Sequence, residues 1–303
     1  MRKLKHYTGD AGEFMKKVVD STKKRKEDDT AEPDNTYKKR CHAILLSNED
    51  YIKRYKTEFD NNTLENIEGT HPVLKQDDKE DMKSLYRYKS KHIQDLNNEV
   101  LIENGYANNF CPLCGVNLCN TMDHFIPQTS YPLFVVHPLN LIPSCDTCNK
   151  EKSSIIKDGD KRKFWNVYLD TPPKEDYLLC DVKEGTGGIV DVEFGLRKGT
   201  IGDDTFRLLE NTMLEAGQNV FGVFKKASGR IISRFFEKAV KHIRIVGTSK
   251  KLNECLDDLR REVDNEFEIN DCESVIKKAL VSSPIFVKNL KEELDRMEIK
   301  YKE

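Results

Sequence analysis

The chain has 303 residues, 34% charged and 37% hydrophobic, and a formal charge of −2. The balance of 50 basic and 52 acidic side chains lends nucleic-acid binding no support from global charge, and no run reaches the roughly 18 apolar residues a membrane span needs. Fourteen Phe, eleven Tyr and one Trp argue against wholesale disorder, and Arg2, Lys3 and Lys5 lead into no apolar stretch, so a secretory signal is not expected and a cytoplasmic chain is.

At roughly 100–200 residues per domain, the length suggests two modules or one small module set in a larger scaffold. Residues 1–35 carry nine Lys and Arg against three acids between Met1 and Lys26, then turn acidic around Pro33. They read as a basic N-terminal arm and linker, either solvated or touching phosphates. Residues 36–105 are expected to form a helical module. Ala43–Phe59 places Ile44, Leu45, Ile52, Tyr55 and Phe59 at helical spacing, and Asp81–Ile102 repeats the pattern from Met82 to Leu101. Asn104-Gly105 suits a helix stop, and His42 and His92 read as surface or boundary residues.

Residues 106–157 hold five of the nine cysteines and no long amphipathic helix, the style of a compact metal-held module. Residues 158–303 begin with an expected short helix, Lys161–Leu169, around Phe164 and Trp165. Tyr177–Val182 and Gly188–Phe194 alternate as two strands joined across Glu184–Gly187. Asp203 or Asp204 is placed to cap a helix running through Phe206 to Met213, Val223–Val246 is a longer helix with a cationic face, and Leu252–Glu303 predicts two amphipathic helices broken near Ser282–Pro284.

The strongest local signal is Cys111-Pro-Leu-Cys114-Gly115, followed thirty residues later by Cys145-Asp-Thr-Cys148. Two sulfurs three residues apart on a tight turn both point inward, so two such pairs complete a tetrahedral Zn²⁺ site, and Gly115 relieves the first turn. A redox role fits less well, since no thioredoxin-like βαβ pattern accompanies the pairs. Structural zinc supplies on the order of 10–16 kcal/mol in finger peptides, enough to fix the fold of a short segment. Cys119 is out of register, and Cys41, Cys180, Cys255 and Cys272 are scattered; all five read as bystander thiols.

Beside the cysteines stand Asp123-His124-Phe125-Ile126-Pro127, Asn140-Leu141, Asn149 and Lys152, none of which a zinc knuckle requires. Asp, His and Asn together offer a hard-cation site next to an imidazole, as metal-assisted phosphodiester hydrolysis requires. The stretch HFIPQTSYPLFVVHPLNLIPSCDTCNKEK, framed by the CxxC pairs, resembles the HNH endonucleases over Cys111 to Lys152. It is closest to a subgroup that includes nucleases encoded beside ATPases in Septu-type and retron-linked phage defence. The resemblance implies an α+β, mostly α fold whose small treble-clef-like ββα-metal finger, stapled by zinc, lies between helical flanks. It implies His124 as general base, Asp123 and Asn149 as ligands of a catalytic Mg²⁺ or Mn²⁺, and Asn140 as a brace that orients the histidine. Asn149 fills the place where many members carry a last histidine, which shifts the metal preference toward oxygen-loving ions. Lys150 and Lys152 become candidate phosphate contacts. His137, between Val136 and Pro138, is either structural or an auxiliary ligand, and Tyr131-Pro132 shapes its loop.

Between Val223 and Lys251 there are nine Lys and Arg and one acid, whereas Leu252–Glu303 has fourteen acids and nine bases. Lys225, Lys226, Arg230 and Arg234 are therefore expected to meet nucleic acid, unless the acidic tail neutralises that face. No Walker A motif is present, so any ATP dependence comes from a partner ATPase. The expected function is a metal-dependent endonuclease acting on DNA, with an effector role in antiviral defence. The alternatives are a non-catalytic zinc-dependent nucleic-acid-binding or assembly module, and a nuclease that cuts RNA such as tRNA.

Overall fold

The computed structural model describes every residue except 34, 68–71, 215–216, 267–268 and 303. Residue 34, in the expected linker, lies outside the described residues. The class is α+β, with close to half the chain helical and four two-stranded antiparallel sheets among the described residues.

The N-terminal half is built from α1 (Ala11–Asp20), α2 (Tyr37–Ser47), α3 (Glu49–Asp60), α4 (Gln76–Lys83) and α5 (Lys91–Val100). Asp10 caps α1 by accepting from Glu13 N at 2.7 Å, and Phe14, Met15, Val18 and Val19 give the helix one buried face. The first 35 residues thus do more than a solvated arm would. Arg2 donates to Glu103, Asn108 O and Phe110 O. Arg25 stacks on the Tyr37 ring at 3.3 Å and pairs with Asp81. Part of the basic run is therefore spent on tying elements together.

The periodicity over Ala43–Phe59 belongs to two helices. The chain breaks at Asn48, whose side chain donates back to Ile44 O while its own carbonyl opens α3. Asp81–Ile102 likewise divides between α4 and α5, with turns over residues 84–90. All the apolar positions that carried the pattern face the core, because a turn that resets the phase leaves the buried face intact. Asn104 (φ 51°) and Gly105 (φ 83°) do not stop a helix; they form the hairpin turn between β1 (Ile102–Glu103) and β2 (Tyr106–Ala107).

β3 (Thr121–His124) pairs antiparallel with β4 (Leu141–Ser144), Asp123 opposite Ile142 and His124 opposite Leu141, and α6 (Asp146–Glu151) follows at once. The link between the two strands is packed from within by Phe134, Val135, Val136 and Leu139, all buried. β5 (Lys157–Asp158) and β6 (Lys161–Arg162) form a small hairpin, and Lys161–Leu169 is not helical. Asp170 holds the Arg162 guanidinium through both carboxylate oxygens, at 2.6 and 2.7 Å, and also accepts from Asn166 N. That clamp fixes a turn and buries Phe164 and Trp165 without a helix.

β7 (Leu178–Glu184) and β8 (Val190–Leu196) form the expected hairpin, each ending two residues beyond its pattern, with β7 starting one residue late and β8 two. α7 (Asp203–Met213) is capped by Gly202, so Asp203 and Asp204 lie in its first turn, where negative charge favours the helix dipole. α8 (Val220–Val246) is the spine of this half. It packs Phe221 and Phe224 against Phe194, and Phe235 and Phe236 against Phe286. Among the described residues three helices follow rather than two: α9 (Leu252–Glu266), α10 (Cys272–Val281) and α11 (Pro284–Arg296). Ser283 caps the last at the expected break, and Asp271 caps α10 by accepting from Glu273 N and Ser274 N. One continuous apolar core runs from Leu4 to Leu294.

Candidate active site

Cys111, Cys114, Cys145 and Cys148 come together with their sulfurs within 4.8 Å of one another, all four buried. A zinc tetrahedron with Zn–S of about 2.3 Å has S···S edges of about 3.8 Å, and Cys114 Sγ to Cys145 Sγ is 3.9 Å. Gly115 takes φ 66° while its N–H donates to Cys111 O, the tight turn that the first pair requires. Cys145 is the N-cap of α6 and accepts from Cys148 N, as metal-bound thiolates do in such knuckles. The thiols around Cys111, Cys114 foremost, hold it well below the ordinary thiol range. The donor set and its spacing fit a zinc ion. Cys119 borders the cluster without joining it.

A cleft of about 220 Å³ opens beside this cluster, lined by Tyr86, Asp123, His124, Gln128, Asn149 and Lys152 among others. Asp123 and His124 close β3, and Asn149 comes from α6, one residue past the last cysteine of the cluster. His124 Nε2 lies 2.8 Å from Val135 O. A carbonyl only accepts, so Nε2 carries the proton and Nδ1 is the ring's acceptor. Burial pushes the imidazole down to about 4, only partly offset by the Val135 bond, so the ring is neutral near pH 7. Tyr86 fixes its plane from the side, ring centroids 4.6 Å apart, and is itself pinned by bonds to Met122 O and N.

Asn140 is fully buried. Its Oδ1 accepts from Ile126 N at 2.6 Å and Tyr55 OH at 3.0 Å, and its Nδ2 donates to Ile126 O and Phe134 O. With every group used, it has nothing left for a substrate; it braces the loop between β3 and β4, one step behind His124. Lys152 also differs from a phosphate contact. Its side chain is 5% exposed, and Nζ lies 2.8 Å from Asp123 Oδ2, 2.7 Å from His124 O and 3.0 Å from Phe125 O. Lys150 is exposed and paired with Asp146.

On α8, Lys225 donates to Val192 O and pairs with Asp191, which commits it to the β7–β8 hairpin. Lys226, Arg230 and Arg234 are exposed and, among the described residues, form no ion pair. With Lys241 and Arg244 they line one face of the helix for about 27 Å. The acidic tail engages Lys238, through Glu262, and Lys250, through Asp258, rather than this stripe. The start of α8 is held near the cleft by Gln218, just before the helix, which donates to Cys148 O at 3.1 Å.

His137 stands apart from the cleft, on the opposite side of its loop against α3. Sequence reasoning missed Tyr55 and Tyr86. The available signal was chemical: a tyrosine on a buried helix face needs a partner for its hydroxyl, which a phenylalanine does not.

No family model matches the chain, and no solved structure matches it. The chain is similar to Protein ea31 of Escherichia phage lambda, 24% identical over 164 residues, which covers 53% of this chain and 53% of that protein. It is similar also to Septu protein PtuB of Bacillus thuringiensis, 33% identical over 146 residues, or 42% of this chain and 54% of that protein. The chain thus spans about half the length of the curated relatives it matches. No helix among the described residues is long and apolar enough to cross a membrane.

Proposed function

We propose that the chain is an HNH-type endonuclease that hydrolyses phosphodiester bonds in DNA and serves as the effector of a phage-defence system with an ATPase partner. The observation that carries the reading is His124, a neutral imidazole with its Nε2 committed to Val135 O, beside Asp123 and Asn149 in one cleft. The β3–β4–α6 order is that of a ββα finger, and the four cysteines staple it. Similarity to the Septu protein supports the defence role and the partner.

Asp123 and Asn149 offer a carboxylate and an amide oxygen, a donor set that fits Mg²⁺ or Mn²⁺, which keep several waters and take few protein ligands. Such an ion supplies charge stabilisation at the scissile phosphate. The protein's own part is to withdraw a proton from water at His124, keep the ring in one tautomer through Val135, and hold the loop rigid through Asn140. Lys226, Arg230 and Arg234 supply a sequence-independent grip on the backbone.

One observation favours the non-catalytic module: the Lys152 ammonium already engages Asp123 Oδ2. One carboxylate oxygen remains for an ion under the nuclease reading. The test uses protein of verified zinc content, freed of other divalent ions, with plasmid DNA and tRNA in parallel. Cleavage of plasmid that appears only on adding Mg²⁺ or Mn²⁺ is expected. Binding without cleavage under all conditions transfers the chain to the module reading, and cleavage of tRNA alone makes it a ribonuclease.

A further inference from the structure

The cleft that holds His124 has a second cationic border besides the stripe on α8. Tyr86, which lines the cleft and packs on the His124 ring, is followed by Arg87-Tyr88-Lys89-Ser90-Lys91, the turn that leads from α4 into α5. Tyr86 and Tyr88 are half-buried and pack against the core, whereas Arg87, Lys89 and Lys91 are exposed. Ser90 N donates to Arg87 O at 2.8 Å, and Gln94 Nε2 donates to Tyr88 O at 2.6 Å. The tyrosines thus anchor a turn of fixed shape, and the cations project from it.

No acid neutralises them. On α4, Glu80 pairs with Lys83, and Asp81 with Arg25 and Arg40. Among the described residues, Arg87, Lys89 and Lys91 form no ion pair, and neither does Asp95, one turn further along α5. Like charges held close together repel, so the turn raises a positive potential that favours an anion. Its place says how extended that anion is. Tyr86 is bonded to Met122, which puts the turn on the β3 side of the cleft. The start of α8 is tied through Gln218 to Cys148 O, on the α6 side. A polyanion that crosses the cleft meets both surfaces, and a small anion meets one. Proteins that hold single strands offer rings on which bases stack, but both tyrosines of the turn face inward, leaving charge alone, as a duplex backbone requires.

We propose that the α4–α5 turn is a backbone contact for double-stranded DNA, gripping the duplex on the β3 side of the cleft while the α8 stripe grips it on the other. The inference rests on the nuclease reading for which phosphate is cut, and stands apart from it for which surface binds.

The test measures binding by fluorescence anisotropy across a salt series, on intact zinc-loaded protein without added Mg²⁺ or Mn²⁺. The probes are a labelled duplex of about 30 base pairs and, separately, one of its strands. Wild type should prefer the duplex. Alanine at Arg87, Lys89 and Lys91 together should weaken duplex binding at least ~10-fold and lower the salt slope by about 0.9 per lost contact. Lys89→Glu, a single exposed change, should weaken binding in the same direction. Alanine at Lys174, Lys198 and Lys288, exposed lysines of the C-terminal half outside α8, removes equal charge and should have little effect. The proposal is overturned if the Arg87/Lys89/Lys91 variant keeps wild-type affinity and slope, if the control variant loses as much, or if the single strand binds more tightly than the duplex. A wild type that binds in this way but never nicks plasmid removes the nuclease reading and leaves the contact in place.

Discussion

Lys152 and Asp123 form an ion pair whose side chains are 5% and 10% exposed. Removing one member of such a pair strands the other charge away from water, which costs about 3–5 kcal/mol. Lys152→Met should therefore lower the midpoint of thermal unfolding sharply, and adding Asp123→Asn to it should recover much of the loss. A double-mutant cycle of denaturant unfolding measures the coupling; additive losses would show that the two side chains do not rely on each other. His137 makes a separate prediction. Burial holds its native pKa near 3, below the ordinary 6.5. Between those values the unfolded chain binds a proton that the native chain refuses, so this contribution to stability is complete above pH 6.5 and is lost as pH falls. His137→Phe removes the proton, so the variant should lose about 1 kcal/mol less than wild type between pH 7.5 and 5.5. Parallel pH profiles of unfolding free energy for the two proteins would contradict the buried neutral ring.

At the scale of elements, α8 and the four-cysteine module carry the exposed consequences. Alanine at Lys226, Arg230 and Arg234 should weaken DNA binding and reduce its salt slope by about one unit per lost phosphate contact. Lys225→Ala should leave the slope nearly unchanged and instead loosen the β7–β8 hairpin, since its ammonium serves Asp191 and Val192 O. Equal slopes for the triple variant and wild type would assign the stripe to a protein partner. Cys114→Ser should lose zinc and expose residues 106–157 to protease. Because Arg2 N donates to Pro112 O and Gln218 donates to Cys148 O, the damage should spread to both flanks. The helices themselves were readable from spacing, down to Met82, Ile93, Leu96 and Val100 on the buried face. Their breaks were not. Asn48 and Asp271 end or start helices through one or two side-chain hydrogen bonds that leave the apolar period undisturbed. The Arg162–Asp170 clamp, eight residues apart, outweighs the helical pattern around Trp165.

Across the whole molecule, which residues gather at the site was legible and what supports them was not. The cysteine spacing and the Asp123-His124 pair identify which residues gather, because metal and base chemistry demand particular side chains at short separations. The parts that hold His124 and its loop come from far along the chain: Tyr55 on α3, Tyr86 after α4 and a backbone carbonyl at Val135. Only the folded core brings these together, and a backbone carbonyl leaves no mark in sequence. The same distance turned Lys152 from an expected phosphate contact into the partner of Asp123. In the proposed reading, His124 is the general base of a metal-dependent nuclease. Its most direct test is the plasmid-nicking rate of His124→Ala, with zinc content and unfolding midpoint measured on the same sample. Loss of a general base is worth about 10²–10⁴-fold, so the rate should fall by at least that factor while zinc and fold persist, and high Mn²⁺ should not restore it. Wild-type cutting by a zinc-loaded, folded His124→Ala protein would contradict the account.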